Sequence, residues 1–151
     1  MKSKSLLVTA IIGIVTLFLA AGLYAGSTVP DVIKMQNDYE HKKGIVEFSH
    51  AKHVSEYKAG CGDCHHDENN KPLTDLKAGD DVKKCIECHN KPGEKPKGKG
   101  APKLSKSEEL QYHAEALHDN CKGCHKAYNK KNKTKAAPTT CTKCHPKTKK
   151  K

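Results

Sequence analysis

All eight cysteines of the chain fall into four Cys-x-x-Cys pairs, and a histidine directly follows each pair. The four motifs are Cys61-x-x-Cys64-His65, Cys85-x-x-Cys88-His89, Cys121-x-x-Cys124-His125 and Cys141-x-x-Cys144-His145. Covalent attachment of haem c uses this grouping, because two thiols reach the vinyl groups on one porphyrin edge and the histidine reaches the iron. The pattern therefore predicts four haem c sites, each with a motif histidine as an axial ligand.

Zinc is the main alternative for these cysteines. Twenty residues separate Cys64 from Cys85 and 16 separate Cys124 from Cys141, and both spacings suit a two-knuckle zinc ribbon. A zinc site made only of cysteines would leave the histidine after every pair without a role. Haem is the favoured interpretation for that reason.

The remaining histidines can complete the irons. They are His41, His50, His53, His66, His113 and His118, and four of them would make every iron bis-histidine. In the stretch CGDCHH, His66 is adjacent to His65, and adjacent side chains cannot reach one metal from the same side. His66 is therefore predicted to bind a second haem, which keeps two haems close enough for electron transfer. Met35 is the only methionine besides the initiator, so methionine could serve as an axial ligand for at most one iron.

The first 25 residues have the pattern of an export signal. Lys2 and Lys4 precede an apolar run, Leu6 to Ala21, and small residues surround Ala25. A retained membrane anchor is the alternative, because the run is nearly long enough to span a bilayer. Cleavage after Ala25 would leave residues 26–151 as one periplasmic domain with four haems.

That domain has too few aliphatic residues to build a core of side chains. From residue 26 onward, Leu, Ile, Val and Phe number 14, about 11 per cent, and a highly charged chain with less than about 20 per cent is usually disordered. The predicted fold is a small, mainly α multihaem cytochrome with few regular elements, in which four haems form the core. A short β-hairpin is predicted from 32–35 and 45–48, and a helix from Ser105, with Glu108 completing a capping box, to near Asn120.

Two motifs resemble those of the tetrahaem class III cytochromes c, the cytochrome c3 family. The stretch FSHAKH (48–53) is similar to that family's Phe-x-His-x-x-His, and CGDCHH to its first haem site; the likeness spans roughly 32–145. It implies distal ligands His50 for the first haem, His66 for the second, His53 for the third and His118, which precedes an aspartate, for the fourth. His113 is the rival for the fourth haem and otherwise a partly exposed residue. His41 is expected to be solvent-exposed.

The histidines suffice to close all four irons, so no catalytic site is visible and the sequence predicts a periplasmic electron carrier rather than an enzyme. The resemblance implies reduction by a periplasmic hydrogenase or formate dehydrogenase and delivery to a membrane-bound redox complex in an anaerobic sulfate- or metal-reducing bacterium. A membrane-anchored tetrahaem quinol dehydrogenase is the alternative.

After removal of the leader, 26 Lys oppose 17 acidic residues, a net charge of +9. Lysines near the last motif, namely Lys143, Lys147 and Lys149 to Lys151, are predicted to dock an acidic partner near the fourth haem, with the loop 91–103 as the next choice. Nucleic acid is not expected, because no basic motif is interleaved with aromatic residues.

Overall fold

The computed structural model describes residues 30–147. The predicted export signal or anchor, and the last three lysines, lie outside the described residues. Residues 30–77 and 82–147 belong to one compact unit, and the segment Ala78–Asp81 falls outside it. Within the described residues, no helix is both long and apolar enough to cross a membrane.

A two-stranded antiparallel sheet lies near the start of the unit. Strand β1 is Ile33–Lys34 and strand β2 is Glu47–Phe48, with Ile33 opposite Phe48. The strands fall inside the predicted hairpin segments, and one further hydrogen bond, from the Met35 N–H to the Val46 carbonyl at 2.9 Å, extends the pairing. Strand β2 leads through Ser49 directly into the first helix, which brings the FSHAKH histidines onto a helical turn.

The rest of the ordered backbone consists of short helices. They are α1 (His50–Ser55), α2 (Cys85–Cys88), α3 (Lys106–Leu110), α4 (His113–Leu117), α5 (Gly123–Lys131) and α6 (Cys141–Cys144), with a 3₁₀ turn at Cys61–Asp63 and a π-helical turn at His118–Lys122. The expectation of a small, mainly helical fold with little regular structure is confirmed at this level.

The helix predicted from Ser105 begins where expected but does not run unbroken. The Ser105 N–H donates to the Glu108 carboxylate at 2.7 Å, as a capping box requires. The helix ends at Leu110, because the backbone of Lys91 pairs with the residues that follow. The Lys91 N–H donates to the Gln111 carbonyl, and the Lys91 carbonyl accepts from the His113 N–H. Helical structure then resumes and continues to Lys131, past the predicted end near Asn120.

Almost no side chain is buried in the described part of the chain. Only His113, at 2 % exposure, and Ala116, at 9 %, fall in the buried class there, and no large side chain is fully enclosed. Several apolar side chains remain exposed instead, among them Val32, Val54 and Tyr128. Because burial of apolar surface is the main favourable term in folding, this polypeptide lacks a sufficient core of its own.

We therefore expect the chain to be unfolded when it is made without haem attachment. Far-UV circular dichroism and amide NMR dispersion of protein expressed without the attachment machinery would measure this directly. Cofactor binding and folding should be coupled, because the binding free energy is available only to the folded state. A cooperatively folded, zinc-loaded product would contradict the expectation and the haem interpretation together.

Candidate haem-binding site

Three of the four Cys-x-x-Cys-His motifs share a backbone hydrogen bond between the histidine and the first cysteine. The histidine N–H donates to the carbonyl of the first cysteine at 2.8 Å in the first and second motifs and at 2.7 Å in the fourth. This bond closes a helical turn at each of these three motifs. The third motif lies in continuous helix, with Cys121 in the π-helical turn and Cys124 in α5. Residues three apart on a helix are neighbours on its surface, so the two thiols of a motif face the same side.

The thiols are free and mostly accessible. None of the eight forms a disulfide; Cys61 and Cys144 are half-buried and the other six are exposed. Desolvation is the main cause that raises the pKa of Cys64, Cys85 and Cys144, and it raises the pKa of Cys121 to about 11. These four thiols are therefore uncharged at neutral pH. Among residues 30–147, no three His, Cys, Asp or Glu side chains form a group that could hold a metal ion.

Three motif histidines each face one of the additional histidines. The ring centroids are 6.1 Å apart for His53 and His125, 5.8 Å for His66 and His89, and 6.3 Å for His118 and His145. A metal–imidazole bond of about 2.0 Å on each side of one ion puts two axial ring centroids on the order of 6 Å apart. The three pairs therefore have the spacing of two axial ligands on one iron.

The first motif histidine, His65, interacts with His50, the residue expected to be the distal ligand of the first haem. Desolvation is the main cause that lowers the pKa of His65, and the charges of His50 and His66 lower it further. His50 and His65 are thus close enough to interact. The Phe48 ring contacts both histidines of α1, with centroids 5.9 Å from His50 and 4.6 Å from His53. One aromatic side chain thereby packs against residues of two predicted haem sites.

Five of the paired histidines use Nδ1 in a hydrogen bond to a backbone carbonyl. The bonds are His53 to Ser49 (2.9 Å), His66 to Asp67 (2.7 Å), His89 to Leu110 (2.6 Å), His125 to Pro138 (2.6 Å) and His145 to Gly44 (2.8 Å). A carbonyl only accepts, so Nδ1 must carry the hydrogen and Nε2 is left with its lone pair. Metal-binding histidines in proteins are held in this way, so these residues fit the axial sites of haem iron.

His113 has the opposite hydrogen-bond arrangement. Its Nδ1 lies 2.8 Å from the Tyr39 hydroxyl and 3.4 Å from the Asn37 side-chain nitrogen. An amide nitrogen only donates, so Nδ1 accepts and the hydrogen of the neutral ring is on Nε2. The expectation of a partly exposed surface residue is wrong, because Tyr39 and Asn37 cover the ring and leave it 2 % exposed. His118, and not His113, faces the histidine of the fourth motif.

His41 also differs from its expectation. It is half-buried, and its ring stacks on Tyr39 with centroids 4.5 Å apart. Its Nε2 accepts a hydrogen bond from the Asn37 N–H at 3.2 Å. The prediction of a solvent-exposed side chain was wrong because the loop folds back on itself between Asn37 and His41.

The carbonyls that orient the motif histidines were not found from the sequence. Gly44 lies 101 positions before His145, and Leu110 lies 21 positions after His89. A side chain at position 44 would not fit, because the carbonyl and ring of Pro146 occupy the space where a Cβ would be. A lone glycine in a polar loop gives no signal of such a long-range contact.

Repeated haem-attachment turns joined to opposed histidine pairs define a multihaem c-type cytochrome. The model of the class III cytochrome c family matches residues 27–145, and the chain belongs to that family. No curated protein matches the chain. Membership makes the protein a multihaem electron carrier with covalently bound c-type haem.

Replacing Gly44 by alanine should disturb the fourth motif. The new Cβ would overlap the Pro146 carbonyl and ring, so the loop must move and the Gly44 carbonyl must shift from His145. Overpacking of this kind costs about 1–3 kcal/mol. Denaturant unfolding of the haem-loaded Gly44→Ala protein would measure the loss.

Gly60→Ala is the matched control. Gly60 has an extended backbone, with φ −74° and ψ 155°, and the nearest atom to an added Cβ is an Asp63 oxygen at 3.6 Å. This substitution should change the free energy of unfolding by less than about 0.5 kcal/mol. Equal stability of the two variants would show that the contact between Gly44 and Pro146 does not form.

Proposed function

We propose that the protein is a periplasmic, low-potential electron carrier with four covalently bound, bis-histidine c-type haems. The observation that carries the proposal is the set of opposed histidine pairs, whose rings lie 5.8–6.3 Å apart. The carbonyl bonds at Nδ1 support it, because they leave Nε2 available to iron.

Three of the proposed ligand sets follow these pairs and the motifs, and the first set follows the family resemblance and the electrostatic interaction of His50 with His65. The first site has Cys61, Cys64, His65 and His50; the second has Cys85, Cys88, His89 and His66; the third has Cys121, Cys124, His125 and His53; and the fourth has Cys141, Cys144, His145 and His118. Adjacent residues, His65 and His66, then serve different sites. One peptide unit would keep the first and second haems close together, which suits electron transfer between them.

Haem iron supplies the one-electron redox chemistry. Bis-histidine ligation favours low reduction potentials, because the methionine ligand that raises the potential in other cytochromes c is absent from these sets. Two histidines also leave no open position at an iron for a substrate. This ligation supports transfer of electrons between other proteins rather than catalysis.

The His66→Ala substitution tests the ligand assignment. We expect four haems to stay attached, because no thiol is changed, while one iron becomes able to bind carbon monoxide in its reduced state. Protein mass and a pyridine haemochrome spectrum would count the haems, and NMR would assign the reactive one to Cys85 and Cys88.

A His66→Gly variant with added imidazole is the control for this experiment. Free imidazole should occupy the vacated position and suppress carbon monoxide binding. Reaction at the haem attached to Cys61 and Cys64 would show that His66 serves the first site instead. A mass with fewer than four haems in the native protein would overturn the tetrahaem proposal.

For the partners, we propose a periplasmic hydrogenase or formate dehydrogenase as donor and a membrane-bound redox complex as acceptor. The positive charge of the chain supports an acidic docking surface on a partner. Lys143 lies within the fourth motif and Lys147 two residues after it, and both are exposed, so they are close to the fourth haem by covalent connection. The role includes export, with residues 1–25 as its signal.

Stopped-flow reduction by a hydrogenase tests the carrier role and the docking face together. Changing Lys143, Lys147 and Lys149 to Lys151 to glutamine should slow reduction and weaken its salt dependence, because long-range attraction is screened over about 10 Å at 0.1 M ionic strength. The control changes five exposed lysines elsewhere, namely Lys126, Lys130, Lys131, Lys133 and Lys135. Equal slowing by both variants would leave net charge, and not this face, as the cause.

A further inference from the structure

His113 is the most deeply buried residue in the described part of the chain, yet it belongs to none of the proposed ligand sets. Burying a polar ring is unfavourable unless its nitrogens find partners. Tyr39 and Asn37 supply them at Nδ1. Burial lowers the pKa of His113, and the charges of His89 and His41 lower it further. The ring is therefore a neutral acceptor that ties the loop before β2 to helix α4.

The backbone around His113 holds the segment that follows His89. The His113 N–H donates to the Lys91 carbonyl at 2.8 Å, and the Lys91 N–H donates to the Gln111 carbonyl at 2.9 Å. The Ala114 N–H donates to the Gly93 carbonyl at 2.9 Å. These bonds pair residues 91–93 with residues 111–114, so the chain leaving the second motif is fixed against the start of α4.

The residues just before His113 also supply the hydrogen-bond partner of the His89 side chain. Leu110 lies three residues before His113, and its carbonyl accepts the His89 Nδ1–H bond at 2.6 Å. A partner of this kind fixes the ring orientation of a metal-binding histidine and raises its basicity as a ligand. Any shift of residues 110–113 would therefore reach the second haem site through His89.

We propose that His113 and Tyr39 are positioning residues for the second haem, and that they act by fixing the Leu110 carbonyl against His89. This inference rests on the proposed function, in which His89 and His66 bind the second iron. A more basic axial histidine stabilises the oxidised iron, so the intact arrangement lowers the potential of that haem. Loosening the arrangement should raise the potential of the second haem alone.

Reduction potentials of the individual haems, measured by NMR redox titration of the haem-loaded full-length chain, test the proposal. His113→Leu removes the acceptor, and Tyr39→Phe removes only the hydroxyl while keeping the ring that stacks on His41. Both should raise the potential of the second haem and leave the other three unchanged. His113→Gln restores an acceptor for the Tyr39 hydroxyl, so its second-haem potential should return towards the native value.

Tyr128→Phe is the matched control, because it removes a hydroxyl from a side chain that is 48 % exposed. It should leave the potential of the second haem unchanged. If Tyr39→Phe shifts all four potentials equally, or none, the positioning role is wrong. Tyr39→Phe keeps this test decisive even if His113→Leu fails to take up haem.

The native protein separates this failure from failure of the proposed function. If the native second haem is not six-coordinate and low-spin, the bis-histidine assignment itself is wrong. If it is low-spin and the Tyr39→Phe potentials equal the native ones, only the positioning role fails.

Discussion

The shortage of apolar side chains governs the whole structure. With only His113 and Ala116 in the buried class among residues 30–147, the polypeptide cannot hold itself together by side-chain packing in the way an ordinary domain does. Its helices are short, and three of the described helical segments are single turns at a cysteine motif. Such turns are marginal in isolation. The fold must therefore gain its apolar contacts from the prosthetic groups that its family carries.

Because side-chain packing is too sparse to orient the histidines, hydrogen bonds to backbone carbonyls orient them instead. Rings that would be locked by packing in a dense core are locked here by Nδ1–H bonds to residues such as Pro138 and Leu110. His113, the one polar side chain in the buried class among residues 30–147, is proposed to hold the Leu110 carbonyl in the same kind of contact. Regular backbone structure is concentrated around the motif histidines and their proposed partners, and much of the remaining surface is charged and exposed.

Local signals in the sequence were sufficient for the elements that depend on near neighbours. The motif turns, the hairpin beside Gly44 and the capping box at Ser105 follow from residue spacing and from backbone groups a few positions away. The break after Leu110 could not be predicted, because Lys91 causes it from 20 positions upstream. The burial of His113 likewise depends on Tyr39, 74 positions before it. Histidine counts alone cannot distinguish a ring that accepts at Nδ1 from one that donates there.

The bond between His145 and Gly44 has a consequence for how the chain is assembled. Its partners are 101 positions apart, so it closes a loop that contains the other three motifs. A polypeptide is synthesised from its N-terminal end, so Gly44 must remain without this partner until the last motif has been made. The other motifs lie inside that loop and can acquire their haems beforehand. Maturation of the molecule is thus ordered by its topology, with the fourth motif the last to be completed.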